Sequence, residues 1–102
     1  MKYNKYLPVG SVVTLKNGES KVMITGFCFI PKEVPKKMYD YSGCVYPNGF
    51  VESNKILVFN HNQIEKVHFV GLMNDKEEIK FKQKLNDYIA TVIKLKEIDL
   101  PN

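Results

Sequence analysis

The sequence has 102 residues, of which 44% are hydrophobic and 25% charged, the values of an ordinary globular protein. This length supports one hydrophobic core, so we predict a single domain over residues 1–102. All 15 basic residues are lysine and the net charge is +4; without arginine, bidentate reading of nucleic-acid bases is disfavoured. No segment approaches the roughly 18 apolar residues of a membrane span. Residues 1–8 lack a signal-peptide core, so we expect a cytoplasmic protein.

The first predicted element is a β-hairpin. Residues 9–15 are rich in β-branched side chains and predict a strand, and residues 21–30 predict a second strand returning beside it. Between them, Asn17-Gly18 favours a type I′ turn, because both residues accept the positive φ angles that this turn requires. Gly26 lies in the middle of the second strand, where we expect it to permit a bend.

A solvated loop follows at residues 31–37, which contain two prolines and three lysines. The tyrosine-rich stretch at residues 39–50 comes next. We predict that it forms the central strand of the sheet and ends in a turn at Pro47-Asn48-Gly49, where each residue type favours chain reversal.

Alternation along this central strand predicts which of its side chains are buried. Three side chains share one face and are expected to pack into the core: Tyr39, Tyr41 and Val45. Asp40 belongs to the other face and is expected to contact water. Gly43 interrupts the alternation and favours a bulge, beyond which we expect Cys44 and Tyr46 to turn inward.

Short strands at residues 55–59 and 67–70 complete the predicted sheet, and residues 50–51 favour the start of another. Asn60 is expected to cap a single helical turn, with Gln63 at the position of a capping-box partner. The side chains expected on one face of the last strand are Val67 and Phe69.

Residues 74–97 predict an amphipathic helix. Asn74 is the expected N-cap, and acidic residues follow it at the positive end of the helix dipole. The apolar residues form one stripe, consisting of Phe81, Leu85, Tyr88, Ile89, Val92 and Leu95. Residues 75–96 of such a helix would span about 33 Å at about 1.5 Å per residue, which exceeds what a small sheet covers. We therefore expect the first two residues of the stripe to dock, Val92 and Leu95 to stay partly exposed, and residues 98–102 to fray.

These elements predict an α+β fold, with a β core over about residues 7–73 and a C-terminal amphipathic helix over about residues 74–97. Short strands with bends marked by glycine suit two arrangements. The sheet is expected to be either a small, strongly bent antiparallel sheet or an SH3-like barrel, with five or six strands.

Few residues have the chemistry of a catalytic or metal site. Cys44 with His61 or His68 has the residue types of a thiol enzyme, and Cys28 would add a fourth metal ligand. Both cysteines lie in apolar segments, where thiols stay inert, and the spacing matches no zinc pattern. We expect both cysteines to be reduced and buried, and we predict no enzymatic activity, no metal and no cofactor.

Nucleic-acid binding is the alternative that the composition leaves open. Aromatic residues make up 12% of the chain, and tyrosine stacks on bases with little sequence preference. No single strand, however, interleaves basic and aromatic positions.

Four segments carry a resemblance to a known family: residues 7–15, residues 23–26, the tyrosine-rich stretch at residues 39–49, and residues 59–71. They resemble a small family of unknown function that Gram-positive bacteria encode beside type VII secretion genes, often with LXG-type polymorphic toxins. The resemblance covers about residues 7–75. The lysine-rich loop at residues 31–37 is longer here, and the C-terminal helix lies outside the resemblance or varies.

The resemblance implies a non-enzymatic, cytosolic accessory protein of toxin secretion, which acts as a chaperone, targeting factor or adaptor. Its partner would be a secreted toxin or the toxin's helical targeting factors, and the resemblance supplies no catalytic residues. The side chains that we expect to contact the partner are Tyr88, Val92, Leu95, Asp40 and Tyr46. The spacing of the helix also suits a second copy of this chain. The alternative function is that of a small nucleic-acid-binding β-barrel.

Overall fold

A computed structural model describes residues 6–52, 56–95 and 97–101. In chain order the elements are β1 (Val12–Leu15), β2 (Lys21–Phe29), β3 (Tyr39–Val45), β4 (Leu57–Phe59), the 3-10 helix His61–Gln63, β5 (Ile64–Phe69) and α1 (Lys76–Leu95). This order confirms the predicted elements, although their ends move by one to three residues. Residues 1–5, residue 55 of the predicted fourth strand, residue 96 of the predicted helix and residue 102 lie outside the described residues.

The five strands form one antiparallel sheet in the order β4-β3-β2-β1-β5. The edges of this sheet are β4 and β5, and the described part of the chain contains no pairing that joins them. The predicted α+β fold, an antiparallel sheet with a C-terminal helix, is therefore confirmed, and the sheet is open instead of closed into an SH3-like barrel. Residues 50–51 lie outside the strands and are largely exposed.

The hairpin between β1 and β2 is present, but its turn differs from the predicted type. Thr14 pairs with Lys21, and the Gly18 N–H donates to the Leu15 carbonyl at 3.0 Å. Asn17 has a φ of +63°, whereas the φ of Gly18 is not positive. Since a type I′ turn requires positive φ at both central residues, the type I′ prediction is wrong.

The bulge expected at Gly43 lies on the neighbouring strand instead. Thr25 of β2 is the extra residue between Ile24 and Gly26, which pair with adjacent residues of β3. Gly43 lies where β3 approaches β2 closely, because a Cβ atom there would lie 2.6 Å from the Met23 carbonyl oxygen. A larger residue at this position would therefore separate β3 from β2.

The side chains of β3 only partly follow the predicted alternation. Tyr41 and Cys44 are buried as expected, whereas Tyr39 and Val45 are half-buried. Five consecutive residues of the strand are buried, because β3 lies between β2 and β4 and is covered on both faces. β3 is thus more buried than a strand with one solvent-exposed face would be.

Tyr46 follows β3 at the start of the predicted turn. Its N–H donates to the Lys21 carbonyl at 2.8 Å, and the Gly49 N–H then donates to the Val45 carbonyl at 2.9 Å. The ring of Tyr46 is 45% exposed, so the prediction that it turns inward is wrong.

The core lies on the face of the sheet that α1 covers. Its buried members are Tyr6, Val13, Val22, Ile24, Tyr41, Phe59, Leu85 and Ile89. Tyr41 is central: its ring centroid lies 5.3 Å from that of Phe59 and 5.7 Å from that of Tyr6. The segment before β1 therefore contributes to the same core as the helix at the other end of the chain.

The cap of α1 lies one residue beyond the predicted position. Asp75 Oδ1 accepts a hydrogen bond from the Glu78 N–H at 3.1 Å, and Glu78 Oε1 accepts one from the Asn74 N–H at 2.8 Å. Asp75, not Asn74, is the N-cap, because Asn74 has a φ of +68° and precedes the helical turn. The predicted turn after Asn60 does carry its capping contact, from the Asn60 N–H to Gln63 Oε1 at 2.7 Å.

The segment after α1 is held against the lysine-rich loop. Asp99 donates its N–H to the Lys36 carbonyl, and its own carbonyl accepts from the Met38 N–H at 3.0 Å. These bonds make a short parallel bridge between Lys37 and Asp99. The prediction that this segment frays is therefore wrong for its described residues.

β5 pairs with β1 through two register shifts. Val12 pairs with Phe69 and Val13 with Val67, so His68 is an extra residue between these pairs. Because paired residues share a face and adjacent residues of β1 do not, Val67 and Phe69 lie on opposite faces. The prediction that they share one face is wrong.

A close crossing between chain segments follows β5. The Gly71 N–H donates to Ser11 Oγ at 3.0 Å, and both residues are buried. A Cβ atom at Gly71 would collide with the Val9 carbonyl. Glycine is therefore required where the connection to α1 passes over the start of β1.

Candidate functional site

Asp40, predicted to face water, is completely buried. Its Oδ1 accepts a hydrogen bond from the Tyr6 hydroxyl at 3.0 Å, and its Oδ2 accepts one from the His61 N–H at 2.8 Å. The prediction of a solvated carboxylate is wrong because residues far from β3 in sequence supply both donors. Asp40 joins the N-terminal segment, β3 and the 3-10 helix.

Further hydrogen bonds extend this polar cluster. The Tyr41 hydroxyl lies 2.7 Å from His61 Nδ1 and accepts a bond from the Leu7 N–H at 3.0 Å. The Asp40 N–H donates to Asn60 Oδ1 at 3.1 Å. The cluster therefore fixes how the segment around Leu7 lies against the sheet.

Both tyrosines of the cluster have raised pKa values. Burial is the main cause for Tyr6, and the neighbouring Cys28 and the charge of Asp40 raise its pKa further. Burial also raises the pKa of Tyr41, although the hydrogen bond from Leu7 acts in the opposite direction. Both phenols therefore stay protonated at neutral pH, and Tyr6 remains a donor to Asp40.

The structure separates the helical residues that were expected to bind a partner. Val92 is only 6% exposed, so the prediction that it stays partly exposed is wrong, whereas Leu95 is exposed as predicted. Tyr88 is also exposed. Phe81, expected to dock, is 46% exposed, and Leu85 is buried as predicted. The docked face consists of Leu85, Ile89 and Val92.

A groove of about 640 Å³ opens between the first half of α1 and β2, and we call it the helix groove. Its apolar lining consists of Tyr6, Pro8, Val9, Phe27, Leu72, Phe81 and Leu85. The polar lining at its rim includes Asp75, Glu77, Glu78 and Lys82. Sequence reasoning missed most of these residues, because they come from four separate segments and only Phe81 and Leu85 belong to a periodic pattern.

Aromatic rings form the floor of the helix groove. The ring centroid of Phe27 lies 5.5 Å from that of Phe81 and 5.8 Å from that of Tyr6. At the rim, Lys82 Nζ lies 3.1 Å from Glu78 Oε2. Partial burial raises the pKa of Glu78, but the Asn74 N–H and Lys82 together lower it overall, so the carboxylate is ionised. The helix groove thus combines an apolar floor with a charged rim.

A second groove, of about 490 Å³, lies on the face of the sheet away from α1, and we call it the sheet groove. It is lined by Gly10, Val12, Lys21, Met23, Tyr46, His68 and Phe69. Thr14 Oγ1 and His68 Nε2 lie 2.7 Å apart and connect β1 to β5 at this surface. Of the predicted contact residues, Tyr46 alone lines this groove.

The two cysteine side chains differ in their surroundings. Cys44 is buried and its thiol is free, whereas Cys28 is half-buried with its Sγ 3.9 Å from the Tyr6 hydroxyl. The expectation of burial is thus confirmed for Cys44 and only partly met by Cys28. Among the described residues, no three of the His, Cys, Asp and Glu side chains group as metal ligands would.

None of the described helices has the length and apolar character needed to cross a membrane. The fold and its two grooves define a small α+β domain with an open antiparallel sheet. A sequence model for a domain of unknown function, DUF4176, matches residues 6–81, and the chain therefore belongs to that family. No curated protein and no solved structure matches the chain. The matched span includes every residue that lines the helix groove except Lys82 and Leu85.

Proposed function

We propose that this chain is a non-enzymatic protein-binding module that serves type VII secretion of an LXG toxin in the cytosol. In this role it acts as a chaperone, targeting factor or adaptor. The observation that carries the protein-binding proposal is the helix groove. The link to toxin secretion rests on the resemblance of residues 7–75 described above.

Exposed apolar side chains surround the helix groove and support protein binding. Leu72 is 78% exposed, Val9 53% and Phe81 46%. Soluble monomers seldom expose contiguous apolar surface of this kind unless a partner covers it. Hot spots of protein interfaces are enriched in aromatic residues that sit in such pockets, and Phe81 lies directly against Phe27.

The shape of the apolar surface favours a helical partner segment. Phe81, Tyr88 and Leu95 are spaced by seven residues and therefore lie along one side of α1, beside its docked face. All three are exposed. These three side chains continue the apolar floor of the helix groove along α1. A partner helix packed beside α1 therefore contacts both the groove and these side chains. Tyr88 and Leu95 stay in the proposed contact surface, while Val92 contributes only by holding α1 in place.

Two further observations fit this role. The buried Cys44 has a free thiol, which is typical of a reducing compartment such as the cytosol. Both carboxylate oxygens of Asp40 accept hydrogen bonds inside the protein. Asp40 therefore has a structural role, and it supports the floor of the helix groove through Tyr6.

Co-purification with an LXG toxin encoded beside the gene tests the proposal. Phe81→Glu and Tyr88→Glu are expected to abolish toxin capture without changing the melting temperature, because both side chains are exposed. Val67→Glu is the matched control, since Val67 is 43% exposed on β5 and lines neither groove. Unchanged capture by the two α1 variants, or failure of the unsubstituted chain to bind the toxin, contradicts the proposal. Nuclease treatment should not change toxin capture if the toxin binds this chain directly.

A further inference from the structure

The sheet groove presents two aromatic rings to solvent, one at each end. Phe69 is 62% exposed on β5, and Tyr46 is 45% exposed just beyond β3. Large aromatic side chains are usually covered in a folded protein. Since both rings line one groove on the face of the sheet away from α1, they offer flat apolar surfaces for a ligand.

A row of residues that begins at Tyr46 carries two lysines. Tyr46 donates its N–H to the Lys21 carbonyl, Lys21 pairs with Thr14, and Thr14 pairs with Lys66. The residue just beyond β3 and residues of β2, β1 and β5 therefore place an aromatic residue, a lysine, a threonine and a second lysine in one row across the sheet, and the second lysine is on the same strand as Phe69. His68 lies beside this row, held by Thr14.

The electrostatics of the groove favour an anion. Partial desolvation and the positive charges of Lys21 and Lys66 lower the pKa of His68, so both lysines act on the same part of the surface. Among the described residues that line the sheet groove, none carries a carboxylate. This contrasts with the helix groove, whose rim is mainly acidic.

The spacing of the rings determines how a ligand fits. Tyr46 and Phe69 are three strand-to-strand steps apart and also offset by two residues along the strands, because Phe69 pairs with Val12 and Val12 with Met23. Their backbones are therefore about 16 Å apart. This distance is too great for both rings to enclose a single base. Two separate rings with cations beside them fit a chain in which flat rings alternate with negative charges. Proteins that bind single strands without sequence preference combine aromatic platforms with a positive groove in this way.

We propose that the sheet groove binds single-stranded nucleic acid, with bases stacked on Tyr46 and Phe69 and neighbouring phosphates held by Lys21 in the groove and by Lys66 beside it. Lysine supplies a point charge without the bidentate geometry that reads base edges. Binding is therefore tolerant of sequence. The absence of arginine, which disfavours base-specific recognition, is compatible with this mode.

The proposal has quantitative consequences for binding. With two phosphates neutralised, the logarithm of the association constant falls with the logarithm of salt concentration with a slope of about −1.4. Loss of one stacking ring weakens binding roughly 5- to 150-fold. Removing both lysines brings the slope close to zero.

The experiment is a titration of the ¹⁵N-labelled full chain with the oligothymidylate (dT)8 at several salt concentrations, followed by NMR. Saturable shifts are expected at Gly10, Val12 and Met23, which line the groove. Tyr46→Ala and Phe69→Ala are each expected to weaken binding roughly 5- to 150-fold. The double variant with Lys21→Gln and Lys66→Gln is expected to bring the slope of the salt dependence close to zero. Tyr88→Ala is the matched aromatic control, because Tyr88 is 43% exposed on α1 and outside this groove. Lys80→Gln with Lys84→Gln is the matched lysine control, and both controls should bind as the unsubstituted chain does.

Three results would overturn the proposal. The first is an absence of saturable shifts at low salt. The second is equal weakening by Tyr88→Ala and Phe69→Ala, which would show that the rings of the sheet groove have no special part. The third is equally tight binding of an eight-residue polyglutamate, which would reveal a surface that selects charge alone. Phe81→Glu, which disrupts the helix groove, should leave oligonucleotide binding unchanged and so separates this proposal from the proposed toxin binding.

Discussion

Asp40 and His61, 21 residues apart in sequence, are joined by a 2.8 Å hydrogen bond from the His61 N–H to the buried Asp40 carboxylate. The bond connects the middle of the sheet to the 3-10 helix that precedes β5. Together with the Tyr6 hydroxyl bond, it gives this acidic side chain two donors inside the protein. Buried polar groups are stable only when such partners are present.

Asp40→Asn should destabilise the protein by about 1–3 kcal/mol, because an amide has one acceptor oxygen and leaves one of the two donors without an acceptor. Urea unfolding measures the change. Asp87→Asn, at an exposed position of α1, is the control and should be near neutral. Equal stability of the two variants would show that the buried bonds of Asp40 contribute little.

Tyr41→Ala should cost roughly 3–5 kcal/mol, the usual range for loss of a large buried aromatic side chain. Tyr41 is fully buried and its ring packs against Phe59 and Tyr6. Chemical unfolding of Tyr88→Ala provides the comparison, since that side chain is exposed and its removal should change stability by less than about 1 kcal/mol. A harmless Tyr41→Ala would contradict the described register of β3.

Val92→Glu and Leu95→Glu should have opposite consequences although they lie only three residues apart. The first places an uncompensated charge in the interface between α1 and the sheet and should cost roughly 3–5 kcal/mol. The second changes a side chain that is 60% exposed and should shift stability by no more than about 0.5 kcal/mol. Thermal unfolding distinguishes them, and a stable Val92→Glu variant would mean that the second half of α1 is not docked.

Stability should fall as the pH rises above about 10, the ordinary pKa of tyrosine. The folded state raises the pKa values of Tyr6 and Tyr41, so their contribution is fully present below pH 10. Above it, the unfolded chain loses these protons first and is favoured. The difference between the unfolding midpoints at pH 8 and pH 10.5 measures the loss of stability. The loss of stability should be smaller in Tyr6→Phe, which lacks the Tyr6 proton. Lysine titration is common to both proteins and so does not account for a difference between them. An equal loss in the variant would exclude a role for the Tyr6 proton.

The sequence contains enough local information to predict the elements of this fold. β-branched runs, Asn-Gly and Pro-Asn-Gly turns, and the spacing of Leu85, Ile89 and Val92 all act over a few residues. Closure of the sheet depends instead on whether its two edge strands meet, which is a long-range property. The prediction of a type I′ turn is wrong because, of its two central residues, Asn17 adopts positive φ and Gly18 does not. The chain reversal also takes more residues than a two-residue hairpin loop.

The candidate sites were harder to predict because each one is assembled from distant segments. The burial of Asp40 depends on donors from residues 6 and 61. The row from Tyr46 through Lys21 to Lys66 runs across strands, so no single strand shows it. A bulge at His68 reverses the alternation of β5 and brings Phe69 to the sheet groove. One inserted residue of this kind leaves no clear signature in a hydrophobic pattern.

The crossing of Gly71 over Val9 has a consequence for the aperture of the helix groove. Val9 and Leu72, which lie at this crossing, both line the groove. The distance between their two segments is limited there, because the backbones touch without a side chain between them. An alanine at residue 71 would force the two backbones apart and move Val9 away from Leu72. The shape of this end of the groove thus depends on a residue that does not line it.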